Sequence, residues 1–191
     1  MQKIILILVV VLLAFSCGSK KQEPAELKLV KKYIQALNQS DYSTVISLFK
    51  DSVRMNELVY KSTFSKQQYY SLFQWDSVFK PTYTIEEIQW MDGYVEMKVA
   101  KKCERILFLN EEPIVTKEQV YFDEKGIKSV DIIEYIIFND ELWNTNREKL
   151  VTWTANNHPD IDGFLYDQSL EGGLKFKEAI YRFQKIDTVQ N

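Results

Sequence analysis

Two hydrophobic rhythms divide the chain. In the segment 25–38, Leu27, Val30, Tyr33, Ile34 and Leu37 recur at helical spacing, with Lys28, Lys31, Lys32 and Gln35 on the opposite side. Ser40-Asp41 reads as a stop followed by an N-cap, and predicts a second, short helix burying Val45, Leu48 and Phe49. Residues 52–64 are mixed and predict short strands. Ser65 then caps a third helix with Tyr69, Leu72, Phe73 and, one turn on, Asp76 along one face, and Lys80-Pro81 ends it.

From Thr82 to Phe138 the rhythm shortens to that of strands. "TYTIEEIQW", "YVEMKVAKKCERILFL", "IVTKEQVYF" and "IKSVDIIEYIIF" are rich in β-branched and aromatic residues, separated by the turn sequences "MDG", "NEEP" and "DEKG". Four strands joined this way predict an antiparallel meander. Counting by twos along the second strand puts Val95, Met97, Val99, Cys103, Arg105 and Leu107 on one face. Helical pattern returns at 139–157, marked by Leu142, Trp143, Leu150 and Trp153. "HPDIDGFLYD" follows as a loop, and a last helix is expected from about Leu174 to Phe183.

The beginning of the chain has a different character. Lys3 precedes an unbroken apolar run, Ile4 to Ala14, and small residues lead to Cys17, the form of a secretory signal peptide. The run is shorter than the roughly 20 residues a membrane span needs. "LLAFSC" resembles the bacterial lipobox, with Ala14 and Ser16 as the small residues. That resemblance implies cleavage before Cys17 and a membrane anchor through lipid on that cysteine. Residues 1–17 are therefore expected to be a lipoprotein signal and 18–25 a tether. Lys20 and Lys21 stand where some surface-exported lipoproteins carry acids, so the expected location is the bacterial cell envelope, facing the periplasm. With Cys17 lipidated, Cys103 is the only thiol left. No intramolecular disulfide is then expected, and the thiol reads as buried and inert.

Composition narrows the classes further. A formal charge of −3 with acids and bases interspersed speaks against nucleic acid as a partner. The 11 tyrosines and 4 tryptophans suit an aromatic-lined core or cavity. No stretch matches a glycine-rich phosphate loop, and no cofactor is expected.

Two helices, short strands, a third helix and a four-stranded meander follow the element order of the NTF2-like (SnoaL-like) superfamily. The phrase "VKKYIQALNQSDYSTVISLF" resembles that superfamily's opening helices. The resemblance covers residues 26–138. It implies an α+β fold: an NTF2-like cone, helices packed in a curved antiparallel sheet, with a cavity between them. Residues 139–191 exceed the pattern and are expected to form a C-terminal helical extension of the same domain. The superfamily includes enzymes such as ketosteroid isomerase and scytalone dehydratase, and many non-enzymatic binding or assembly modules.

Candidate chemistry lies on the expected inner faces. Arg105, counted onto the apolar face of its strand, could grip a carboxylate or phosphate; a bulge near Lys101-Lys102 would instead turn it outward, or a carboxylate could pair with it. Glu134 shares a face with Val130, Ile132, Ile136 and Phe138, and Asp131 shares the other with Ile133, Tyr135 and Ile137, so one of these acids is expected to be partly buried. Such an acid is either a general base or a structural partner of Arg105. Trp75, Asp76 and Tyr121 complete the candidate ligand-binding set, and Tyr121 or Tyr83 could supply a phenolic donor.

His158, the only histidine, precedes Pro159 and reads as a helix stop. His158, Asp160, Asp162 and Gly163 fall at EF-hand spacing, but Pro159 and the twelfth residue, Ser169, break that match, and zinc lacks enough ligands. A scytalone-dehydratase-like site, which wants two histidines, is excluded in that form.

Three functions therefore stand as expectations. The first is binding of a small molecule or peptide in an aromatic cavity, with Arg105 as polar anchor beside Trp75, Tyr121 and Glu134. The second is cofactor-independent isomerase, dehydratase or hydrolase chemistry on Glu134 or Asp131. The third is homodimerisation, or assembly with another envelope protein. A buried acid within about 3 Å of a tyrosine hydroxyl in an open pocket favours the enzyme; a collapsed cone favours assembly.

Overall fold

The computed structural model of the protein describes residues 23–124 and 126–187. The signal segment, Cys17 and most of the tether lie outside them. Helix α1 (Ala25–Asn38) buries Val30, Tyr33 and Ile34, and Asp41 caps α2 (Tyr42–Ser47) by accepting from the Thr44 N–H at 3.0 Å. A hairpin of β1 (Ser52–Glu57) and β2 (Tyr60–Ser65) leads into α3 (Lys66–Ser77). The Ser65 hydroxyl and the Gln68 side chain satisfy each other's backbone N–H groups at its start, a complete capping box.

The meander follows as β3 (Thr82–Met91), β4 (Tyr94–Lys102), β5 (Ile114–Asp123) and β6 (Gly126–Ile137). All six strands form one sheet in the order β2-β1-β6-β5-β4-β3, antiparallel except where β1 runs parallel to β6. Register shifts between Ile85 and Glu87 and at three places along β5 and β6 curve it. Val95, Met97 and Val99 of β4, with Val120, Ile127 and Val130, meet α1, α2 and α3 in one core. The C-terminal end of α1 is clamped to β3, since the Asn38 side-chain amide donates to the Tyr83 carbonyl at 2.9 Å and accepts from the Tyr83 N–H at 2.6 Å.

The second meander strand is shorter than expected. It ends at Lys102, and Glu104–Asn110 form a short helix, α4, instead of continuing β4. Cys103 is extended, with φ −159°, and its Sγ accepts from the Ile106 N–H at 3.4 Å. Ile106 and Leu109, one helical turn apart, then point into a second core, while Leu107 is left exposed. That core is built with α5 (Asp140–Asn157), two 3₁₀ turns at Pro159–Ile161 and Phe164–Tyr166, and α6 (Leu170–Asp187). Phe79, Phe164 and Phe176 are almost fully buried in it, and each such side chain contributes about 1.5–3 kcal/mol.

Helix α6 begins four residues before the expected Leu174, through Gly172 and Gly173. A Cβ on Gly173 would lie 2.9 Å from the Trp75 carbonyl oxygen, so the glycine allows α6 to approach α3 closely. None of the described helices is long and apolar enough to cross a membrane.

Gly126 carries a comparable constraint. Its φ is +138°, a Cβ there would sit 2.5 Å from the Leu48 carbonyl oxygen, and that oxygen accepts from the Ile127 N–H at 2.8 Å. Gly126→Ala is expected to destabilise the protein by about 1–3 kcal/mol, read as a lower urea midpoint at unchanged m.

Candidate functional site

The core does not fill the cone. Between the inner face of the sheet, α1 and α3 lies a cavity of about 550 Å³ whose apolar wall includes Leu37, Met55, Phe64, Leu72 and Phe73. Two polar groupings interrupt it.

The first is an ion pair on the sheet. Counting by twos from Val95 brings Lys101 to the inner face of β4, and the same count from Thr116 and Val120 brings Glu118 to the inner face of β5. The Lys101 ammonium lies 2.5 Å from Glu118 Oε1, and Thr116 Oγ1 donates to the same oxygen at 2.8 Å. Glu118 is only 3% exposed. A carboxylate so buried needs its cation, and the pair leaves Lys101 with further N–H donors toward the cavity it lines.

The second grouping is phenolic. Tyr83 of β3 donates its hydroxyl to Asp76 Oδ2 at 3.1 Å, and both residues line the cavity, as do Tyr33 and Tyr69. Burial raises the phenol pKa of all three tyrosines, and the Asp76 charge pushes Tyr83 further the same way. Asp76 also faces Arg105, whose Nη2 is 3.9 Å from Oδ1.

The candidate residues are thus distributed over three places. Trp75, Asp76 and Tyr83 line the cone cavity. Arg105 does not: it rides on α4 rather than on a strand, with its guanidinium between the rings of Trp75, Phe79 and Trp143. Glu134 is exposed on the other face of the sheet, near Lys117 and Glu96. The register slips between Glu118↔Ile132 and Lys117↔Glu134, so the simple alternation from Val130 fails there. Asp131 is half-buried, accepts from Asn56 Nδ2 at 2.9 Å and stays outside the cavity lining; its partial burial is spent on a structural contact, not beside Arg105. Tyr121 also lies outside the lining, donating to Gln119 Oε1 at 2.7 Å and packing on Tyr94.

Sequence reasoning missed Lys101, Glu118, Tyr33 and Tyr69 as cavity groups. For the ion pair the signal was present: Lys101 falls on the face that the count placed with Val99, and the same alternation along the next strand puts Glu118 with Val120.

Cys103 is buried, and that burial raises its thiol pKa. His158 ends α5, where its N–H donates to the Thr154 carbonyl at 2.7 Å. Its ring packs on Trp153, and Nδ1 lies 3.0 Å from the Arg182 guanidinium, which also reaches Asp160 at 3.3 Å. The guanidinium can only donate, so this Nδ1 is the acceptor. Among the described residues no three His, Cys, Asp or Glu side chains come together to hold a metal ion.

No protein-family model matches the chain, and no curated protein matches it. Solved structures do. The chain is similar to a SnoaL-like polyketide cyclase candidate from Shewanella denitrificans OS-217, at 13% identity and a TM-score of 0.50, over 66% of this chain and 99% of that one. It is also similar to an NTF2-like protein of unknown function from Cytophaga hutchinsonii ATCC 33406, at 13% identity and a TM-score of 0.47, over 63% and 96% of the two chains. A ketosteroid isomerase candidate from Kribbella flavida DSM 17836 gives 13% identity and a TM-score of 0.44, over 55% and 73%. The likeness to the SnoaL-like cyclase candidate, at a TM-score of 0.50, shows a shared fold. At such identity the likeness carries architecture and no chemistry.

Lys101→Met would leave Glu118 buried without its cation, and is expected to cost about 3–5 kcal/mol in urea unfolding at neutral pH. Adding Glu118→Gln should restore most of that loss. The buried phenols set an alkaline limit. Folding favours their neutral form, so their contribution is full below about pH 10 and falls as pH rises through the raised pKa values. Tyrosinate absorbance is expected to show Tyr33, Tyr69 and Tyr83 ionising only as the protein unfolds, and Tyr33→Phe should flatten the loss of stability above that pH.

Proposed function

We propose that the protein binds a small, mainly apolar ligand inside the cone, at the cell envelope, where lipid on Cys17 would hold it. The cavity carries this reading. Its volume of about 550 Å³ falls in the range of small-molecule sites, and its wall is apolar with a few placed polar groups. Lys101 offers a ligand acceptor its remaining N–H donors, while Glu118 keeps that ammonium in place. The superfamily's use of this space for binding supports the reading by analogy only.

A second reading rests on one observation, the 3.1 Å contact between Tyr83 and Asp76 in the cavity wall. An acid hydrogen-bonded to a phenol beside a bound carbonyl compound can take and return a proton, which is isomerase or cyclase chemistry without a cofactor. In the structure the Tyr83 proton is committed to Asp76, so this chemistry requires the substrate oxygen to replace the carboxylate as its acceptor.

Thermal unfolding of the protein against carboxylates, sterols, lipids, sugars and peptides tests the first reading. A ligand at 100 times its Kd adds about 2.7 kcal/mol. Ser62→Trp, which fills the cavity from β2, should abolish that shift; a shift that persists in this variant places the ligand elsewhere. Hydrogen exchange into a bound ketone, followed by NMR in D₂O, tests the second. Asp76→Asn should slow it about 10²–10⁴-fold with binding kept, and equal rates would remove Asp76 from the chemistry.

A further inference from the structure

A second chamber, of about 400 Å³, opens where β4 gives way to α4 and α5 crosses it. Glu57 and Lys101 line both this chamber and the cone cavity, so the two spaces share part of a wall.

Arg105 is the unusual group in it. Its guanidinium carbon lies 4.9 Å from the Trp75 ring centroid, 5.4 Å from Trp143 and 5.5 Å from Phe79. The side chain is 17% exposed, and its Nε is buried with no hydrogen-bond partner among the described residues. Asp76, at 3.9 Å, is beyond hydrogen-bond distance. The rings compensate the charge and fix the plane of the fork, but they leave its N–H donors unmet. Arg147, half-buried on α5, lines the same chamber and makes no ion pair among the described residues.

Other charges nearby are already engaged. Glu118 takes Lys101, and Glu57 accepts from the Tyr135 hydroxyl at 2.6 Å. With Lys101 cancelled by Glu118, Arg105 and Arg147 stand against Glu57 and Asp140, so the charges around the chamber balance. A carboxylate meets the two guanidinium forks with one charge, whereas a phosphate dianion would bring two into an already balanced lining.

We propose that this chamber is the carboxylate subsite of one elongated site. The ligand is a monocarboxylic acid whose apolar body occupies the cone and whose head group bridges Arg105 and Arg147. This rests on the cone being a ligand site.

Calorimetric titration of the full chain with octanoate, octanol, octyl phosphate and acetate tests it. Octanoate is expected to bind about tenfold or more tightly than octanol, because two charge-assisted bonds are added. Arg105→Lys keeps the charge and loses the fork; it should cost octanoate about tenfold and leave octanol unchanged. Arg147→Gln, farther from the aromatic cage, should lower octanoate affinity alone, and carries the test if the Arg105 variant fails to fold. Octanoate and octanol binding equally, with both variants silent, would overturn the subsite while the cone reading stands. Tighter binding of octyl phosphate than of octanoate would overturn the carboxylate assignment. Failure of all three eight-carbon probes would remove the cone reading, and this inference with it.

Discussion

The chain's change of direction at Cys103 is the constraint on which the rest of the structure depends. Had β4 continued with its alternation, Arg105 and Leu107 would have lain on the sheet's inner face. Instead Cys103 turns the backbone, its sulfur caps a two-turn helix, and the apolar side chains of that helix face away from the cone. A second hydrophobic surface is thereby created that the sheet cannot cover. The C-terminal helices exist to cover it: Leu150, Phe164, Phe176 and Ile180 all pack there.

Inside the cone the governing condition is that polar groups on an apolar wall must be satisfied. Glu118 and Lys101 do this for each other, and Tyr83 and Asp76 do likewise. The result is a cavity whose main polar side chains are paired with one another. Arg105 departs from this rule one layer away. It is held by ring faces, with part of its hydrogen-bonding capacity unused.

Most of the fold was legible in the pattern of the chain, and the reason is local. Asp41, Ser65 and Asn139 are residues that cap helices by their own chemistry, and each does so. The strands of the meander announce themselves through Val, Ile, Tyr and Phe between turn residues. Two features were not legible. Cysteine gives no start signal for a helix, so residues 103–109 read as a continuation of the strand. Glycines weaken a helix, so Gly172 and Gly173 argued for a later start to α6, whereas Gly172 is demanded by the Asp167 backbone and Gly173 by close contact with α3. The candidate site suffered from the same causes. Arg105 followed its misread strand, and Glu134 was displaced by a slip in register that only pairing with β5 reveals. Asp76, on a well-signalled helix, was placed on the side that faces the cavity.

Helix α3 serves both hydrophobic clusters. Tyr69 and Phe73 on its first turns belong to the cone, while Trp75 and the following Phe79 belong to the C-terminal core, and Gly173 lets α6 rest directly on its backbone. The two clusters are therefore not separable in thermodynamic terms. Loosening the C-terminal helices strips cover from the same helix that walls the cavity, so any event that stabilises or frays the one is felt by the other. The C-terminal helices thus act as a buttress through which the shape of the cavity is coupled to the cohesion of the whole domain.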